Sequence, residues 1–188
     1  MIKRVPYNFN AQKNLDILSK AAFLTTKSGN KINTMVIGWG TIGILWRLPV
    51  FNTVVRQNRF TYEQIEKSHE FTVTIPYVKL PQAVAVCGTK SGRNMDKLAA
   101  CGLKTVKGQK IATPVLDVPG MHFECKVMYG RLMGAENLNK ALAELWYNKE
   151  PDDYPSTATS CTRSILLMAK KTGQKTVFNF STSGAFKA

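Results

Sequence analysis

A proline decides how the most conspicuous stretch of this chain can fold. Asn33 to Trp46 (Asn-Thr-Met-Val-Ile-Gly-Trp-Gly-Thr-Ile-Gly-Ile-Leu-Trp) is its longest charge-free apolar run, and Gly38, Gly40 and Gly43 stand in it at G-x-G-x-x-G spacing. That spacing cradles a dinucleotide only where a strand turns into a helix. After Gly43 the chain runs Ile44-Leu45-Trp46-Arg47-Leu48 to Pro49, whose missing N–H and fixed ring leave no room for the helix. Val50 to Val55 beyond it is apolar and β-branched. The glycines therefore lie between strand-like segments, and the Rossmann reading is set aside.

The same β signals recur along the chain. Ala21 to Thr26, the turn cluster Lys27-Ser28-Gly29-Asn30 and Ile32 to Ile37 predict a hairpin. Phe71 to Ile75, stopped by Pro76, and Met121 to Met133, where apolar and polar residues alternate, predict two more strands, the second with one buried face. Helices are expected at Gln12 to Ser19, at Leu80 to Val86 and at Asn94 to Cys101, with Gly102 as the stop of the last. Another should begin at Thr61-Tyr62-Glu63-Gln64, which has the form of a capping box, and end near Ser68 and His69. Asn137 to Tyr147 carries Leu138, Ala141, Leu142, Leu145 and Trp146 at helical spacing. Pro151 to Ser160, rich in Asp, Pro, Ser and Thr, reads as a loop; Ile165 to Ala169 and Val177 to Phe180 could pair. Without repeats or a linker, residues 1–188 are expected to form one domain, mainly β with peripheral helices, that buries roughly 70% of its unfolded surface.

Charge points to an anionic partner. The 188 residues hold 26 Lys and Arg against 12 Asp and Glu, a net charge of +14. Between Asp16 and Glu63 there is no acid, while Lys20, Lys27, Lys31, Arg47, Arg56 and Arg59 are present; Phe71 to Met95 is a second acid-free span. Two expected helix starts fall in or beside these spans, each preceded by arginine: Arg56 and Arg59 before Thr61, and Ser91-Gly92-Arg93 before Asn94. Unpaired N–H groups at a helix start, together with a guanidinium fork and a hydroxyl, suit a phosphate monoester. Nucleic acid is the alternative, since Trp39 and Trp46 could stack bases, but the cations are scattered and no recognition motif occurs.

Other chemistries lack their residues. Cys87, Cys101, Cys125 and Cys161 form no C-x-x-C pair and His69 and His122 are far apart, so no metal site is expected and the thiols are read as buried in a reducing, cytoplasmic setting. No nucleophile–base pair can be assembled from two histidines, so no catalytic side chain is assigned and any chemistry falls to a bound cofactor. No signal peptide is read in the first residues, and Asn33 to Trp46 is shorter than the ~20 residues that span a bilayer.

Three blocks carry a family resemblance. Asn33 to Gly43, then Val55-Arg56-Gln57-Asn58-Arg59-Phe60-Thr61, then Cys87-Gly88-Thr89-Lys90-Ser91-Gly92-Arg93-Asn94-Met95-Asp96-Lys97 resemble, in order and spacing, those of the flavin reductase-like, FMN-binding split-barrel family that includes flavoredoxin. With Phe71 to Pro76 and Cys125 to Gly130, the resemblance covers about residues 15 to 150. It implies a six-stranded FMN-binding split β-barrel, usually a homodimer, that takes electrons from NADH or NADPH as a flavin reductase or works as a non-catalytic FMN electron carrier. Carried over residue by residue, Met35, Val36, Ile37, Gly38 and Trp39 would form the platform for the flavin ring. Arg56, Asn58, Arg59 and Thr61 would lie near the phosphate, and Ser91, Gly92, Arg93 and Lys97 would supply the remaining ribityl-phosphate contacts. Asn58 and Phe60 depart from a frequent serine and tyrosine, and from about Pro155 onward the chain does not follow the family pattern.

Overall fold

The structure, a computed structural model, describes residues 2–147 and 155–168. Its elements run β1 (Ile2–Arg4), α1 (Ala11–Leu18), β2 (Ala22–Ser28), β3 (Lys31–Ile37), β4 (Gly40–Leu45), β5 (Leu48–Arg56), α2 (Phe60–Ser68), β6 (Glu70–Pro76), α3 (Pro81–Thr89), α4 (Lys97–Ala100), β7 (Thr105–Val106), β8 (Val115–Leu116), β9 (Gly120–Leu132), α5 (Lys140–Trp146) and β10 (Pro155–Met168). One antiparallel sheet follows the order β3-β2-β6-β9-β10-β5-β4, with β1 also paired to β10. The fold is thus mainly β and the sheet is not closed, as a split barrel requires. Six strands, β3 to β5 along that order, form its main run, and β4 and β1 extend it.

The core lies against one face of this run. Leu24, Ile37, Phe51, Val55, Phe71, Val73, Ile75, Met121, Phe123 and Cys125 pack together with Leu18 of α1 and Ile65 of α2. Phe51 and Phe123 meet with ring centroids 5.2 Å apart. A second cluster joins Phe23, Ala83 and Cys87 of α3, Leu116 and Val118 behind the sheet.

The proline-bounded stretch is strand and turn, as expected. β3 ends at Ile37 and the chain returns as the β4–β5 hairpin, whose Leu45 and Leu48 pair across Trp46 and Arg47. Both turn residues have positive φ, 51° and 59°, the backbone of a type I′ hairpin, which follows the strand twist. Gly40 belongs to this hairpin's packing, because a Cβ there would press on the Phe51 ring at 3.0 Å.

Three expectations change. The segment read as a loop from Pro151 to Ser160 is, from Pro155, the first half of a strand inserted between β9 and β5; residues 151–154 and the Val177–Phe180 pairing partner lie outside the described residues. Ser and Thr read as loop formers in isolation, but with a neighbour on each side the backbone groups of β10 pair. β9 does not bury one face along its length: Gly120 to Cys125 is buried at every position and Lys126 to Leu132 is largely exposed. Its partner β6 ends opposite Lys126, which leaves the second half with β10 alone. α5 is shorter than expected, and Leu142, Leu145 and Trp146 are exposed instead of entering the core.

The buried half of β9 carries polar groups that are all used. Glu124 accepts from the backbone N–H groups of Gln109 (2.6 Å) and Lys110 (2.7 Å), pinning the loop before β8. His122 contacts the Thr74 hydroxyl at 2.9 Å and the Val118 carbonyl at 3.1 Å. Burial pushes its pKa down to about 4, so the ring is a neutral sheet residue.

Candidate functional site

Every residue that the resemblance assigned to the ligand falls on one of two adjoining concavities that share Met35, Val36 and Arg59. The first lies where the start of α2 and the loop between α3 and α4 meet β3; Asn58, Arg59, Thr61, Ser91, Gly92, Arg93 and Lys97 line it. The second runs along the end of β3, where Met35, Val36, Ile37, Gly38, Trp39 and Arg56 line it with Val54.

Buried hydrogen bonds hold the first concavity. Thr61 and Gln64 do not form the expected capping box. The helix starts one residue earlier at Phe60, capped by Arg59 without a side-chain bond. Both side chains turn inward: Asn33 Nδ2 donates to Thr61 Oγ1 (2.8 Å), Thr26 Oγ1 donates to Gln64 Oε1 (2.6 Å), and Gln64 Nε2 donates to the Lys31 carbonyl (3.0 Å). Inward-facing polar groups must find partners, and those within reach are on the β2–β3 hairpin. The third block differs too. No helix begins at Asn94; α4 starts at Lys97, and its cap Asp96 accepts from Ala99 N at 3.0 Å.

The cations divide into two kinds. Arg93 is a bracket, since its guanidinium bonds Glu63 of α2 and donates to the Asn58 carbonyl at 3.0 Å. Arg56 is turned toward α5, donating to the Trp146 carbonyl at 3.0 Å with its guanidinium over the Tyr147 ring. Among the described residues, no carboxylate is ion-paired with Lys97 or Arg59. Lys97 is only 5% exposed, and burial, reinforced by the Arg59 charge, lowers its pKa. The result is a walled space with two cations that lack a counter-charge.

Sequence reasoning overlooked three features of the site. Asn33 is 3% exposed, and its Oδ1 has no hydrogen-bond partner. It lies against Gly92, where a Cβ would overlap it; that is why this wall needs glycine. Cys87, Gly88, Thr89 and Lys90 also line the first concavity. Finally α5, distant in sequence, brings Trp146 edge-on to Trp39 (5.1 Å between centroids) and Tyr147 at 6.3 Å. The apolar spacing of α5 was visible in the sequence, but its destination was not.

The model of the flavin reductase like domain matches residues 16–138. A protein of Pyrococcus abyssi described as uncharacterized is 26% identical over 99 residues; the match spans 53% of this chain and 56% of that protein, so only a little over half its length is covered. Among solved structures, an FMN-binding domain of a flavin reductases-like enzyme from Shewanella baltica OS155 superposes with a TM-score of 0.64 at 18% identity, over 89% of this chain and 77% of that one. Flavoredoxin of Desulfovibrio vulgaris (Miyazaki F) gives 0.62 at 20% identity, over 79% and 69%. At these identities the structural matches establish a shared fold.

Proposed function

The chain belongs to the flavin reductase-like domain family, and from that premise we propose that it is an FMN-binding flavoprotein oxidoreductase using NADH or NADPH as transient electron donor. The observation that carries the reading is the pair Arg59 and Lys97, two cations facing one concavity without a carboxylate. Like charges held together at a partly buried site suit an anion with more than one negative charge, such as a phosphate monoester.

The residues present fit FMN on the structure's own terms. Arg59, Lys97, Ser91, Asn58 and the start of α2 would hold the phosphate, with Thr61 tied behind them to Asn33. Gly92 keeps the wall free of side chain, while Arg93 and Arg56 fix the surrounding segments. Met35 to Trp39 offer an apolar strand end with backbone N–H and C=O groups for the flavin ring. When bound, FMN supplies two-electron redox chemistry; this chain would bind and orient it and exclude water with Trp39. We also propose that residues 1–188 act as one domain and that it works as a homodimer, for which Ile44, Leu45, Trp46 and Leu48, exposed at the β4–β5 hairpin, supply apolar surface.

Titrating the purified protein with FMN tests the central reading: saturable binding at micromolar concentration, with the ring absorption shifted, is expected, and its absence overturns it. Oxidation of NADH or NADPH in the presence of excess flavin separates the reductase from an electron carrier, which would show FMN binding without turnover. Sedimentation that returned a monomer would remove the homodimer.

A further inference from the structure

The first concavity has a strapped end. From Trp39 the second concavity leads along β3 to Met35 and Val36, which both share, and the first continues from there to Asn33. At that end Asn33, Thr61, Gly92 and Lys97 are buried, while Asn58 and Arg93 stand exposed at the rim, one on each wall. Arg93 joins the two walls. From the loop between α3 and α4 its Nη1 donates to the Asn58 carbonyl at 3.0 Å, and its Nε (3.0 Å) and Nη2 both bond Glu63 Oε1 on α2. The guanidinium lies over the Phe60 ring, 5.8 Å from its centroid. Phe60 in turn backs Gly92, where a Cβ would come within 3.1 Å of the ring, and Arg93 N donates to Ser91 Oγ at 3.2 Å, which braces the turn.

We propose that the Arg93 strap closes the phosphate end of the site, so that it accepts a flavin ending in a phosphate monoester and rejects one whose phosphate continues into a diphosphate and a second nucleoside. The inference rests on the FMN reading above and names what that site excludes. A monoester ends among Arg59, Lys97 and Ser91 and needs no exit beyond them. In a flavin dinucleotide the same phosphate carries one more ester bond, and with the ring held at Met35 to Trp39 the chain must leave past Asn58 and Arg93. Either the phosphate backs away from Arg59 and Lys97, or the strap opens and loses its charge-assisted bonds to Glu63 and Asn58. An opened strap also leaves the Glu63 carboxylate unpaired beside the second phosphate, and like charges repel. Rejection is thus built from a blocked exit as well as from contacts to the accepted ligand. Because Arg93 and Glu63 are 40% and 43% exposed, the discrimination falls at the low end of what hydrogen bonds to charged groups supply, about tenfold in affinity.

The test titrates the full chain with FMN, FAD and riboflavin, following protein fluorescence. In the unaltered protein FAD should bind about tenfold more weakly than FMN. Arg93→Ala, which removes the strap, should bring the two within about threefold of each other by strengthening FAD. Glu63→Gln, which removes the charge that anchors Arg93, should move FAD in the same direction by less. A gain in FAD affinity is a result that a damaged fold does not give. Equal binding of FAD and FMN by the unaltered protein, an unchanged ratio in Arg93→Ala, or a ratio narrowed only by loss of FMN, which would make Arg93 a phosphate ligand, overturns the strap and leaves the FMN reading standing. Failure of the unaltered protein to bind any of the three flavins overturns both.

Discussion

The concavity at the start of α2 and the one beneath Trp39 share Met35, Val36 and Arg59, yet different forces build them. The first is walled by groups that lock one another: Asn33 to Thr61, Gln64 to Thr26 and Lys31, Arg93 to Glu63 and Asn58. The second is closed by Trp39, 39% exposed, which meets Trp146 and Tyr147 edge-on, beside the bond from Arg56 to a helix-end carbonyl. The bonds of Asn33, Thr61, Thr26 and Gln64 are stiff because breaking a buried bond strands two groups away from water. Exposed ring contacts cost far less to part. Under the proposed function, the stiffer, cationic half would set where the phosphate goes and the softer aromatic half would accommodate the ring.

The largest expected effect tests the rigidity. Gln64→Ala removes both of its bonds and leaves Thr26 Oγ1 and the Lys31 carbonyl to find new partners, so urea denaturation should show a loss of about 2–4 kcal/mol. A change under about 0.5 kcal/mol, the usual scale for surface substitutions, would mean that the first wall is no stiffer than the second. Next, Arg59→Ala should weaken FMN by about 1.5–3 kcal/mol, the range for a hydrogen bond to a charged group, and leave riboflavin, which lacks the phosphate, unchanged. Equal losses for the two ligands would erase the proposed division. Trp39→Ala should behave in the opposite way, costing FMN and riboflavin alike about 0.5–1.5 kcal/mol, the scale of an aromatic pair; fluorescence titration measures both.

The smallest effect is one of pH. Burial lowers the pKa of Lys97, so its cation is lost, as pH rises, before that of an ordinary lysine. FMN affinity relative to riboflavin should therefore decline through the alkaline range below 10.5, where an ordinary lysine loses its proton. Taking the ratio cancels titration of the flavin ring itself. A ratio that stays flat until an ordinary lysine titrates would remove Lys97 from the phosphate half.

Much of this site is legible in the residues alone because it comes from three short blocks. The acid-free spans that hold Arg59 and Ser91 to Arg93 are visible without coordinates, and Pro49 alone excludes the dinucleotide turn that the glycine spacing suggests. The differences share one cause. Thr61 and Gln64 match a cap in sequence, but burial at 1% and 2% exposure places their polar atoms among β2 and β3 groups instead. Arg93 and Arg56 look alike as phosphate forks, yet the structure supplies Glu63 to one and a helix-end carbonyl to the other. The Ser/Thr-rich segment after Pro155 becomes β10 because β5 and β9 flank it.

By itself, then, the sequence determined what depends on a few neighbouring residues: where helix is forbidden, where the β2–β3 hairpin turns, where carboxylates are missing, and which family the three blocks resemble. All but the resemblance follow from backbone sterics and local charge, which act within a turn or two of chain. Only the tertiary structure decided which cations keep their charge free, which polar side chains become wall, and that α5 meets the platform at Trp39. Those outcomes depend on which groups burial brings together across long separations, and a buried polar or charged side chain takes its role from the partner it finds there.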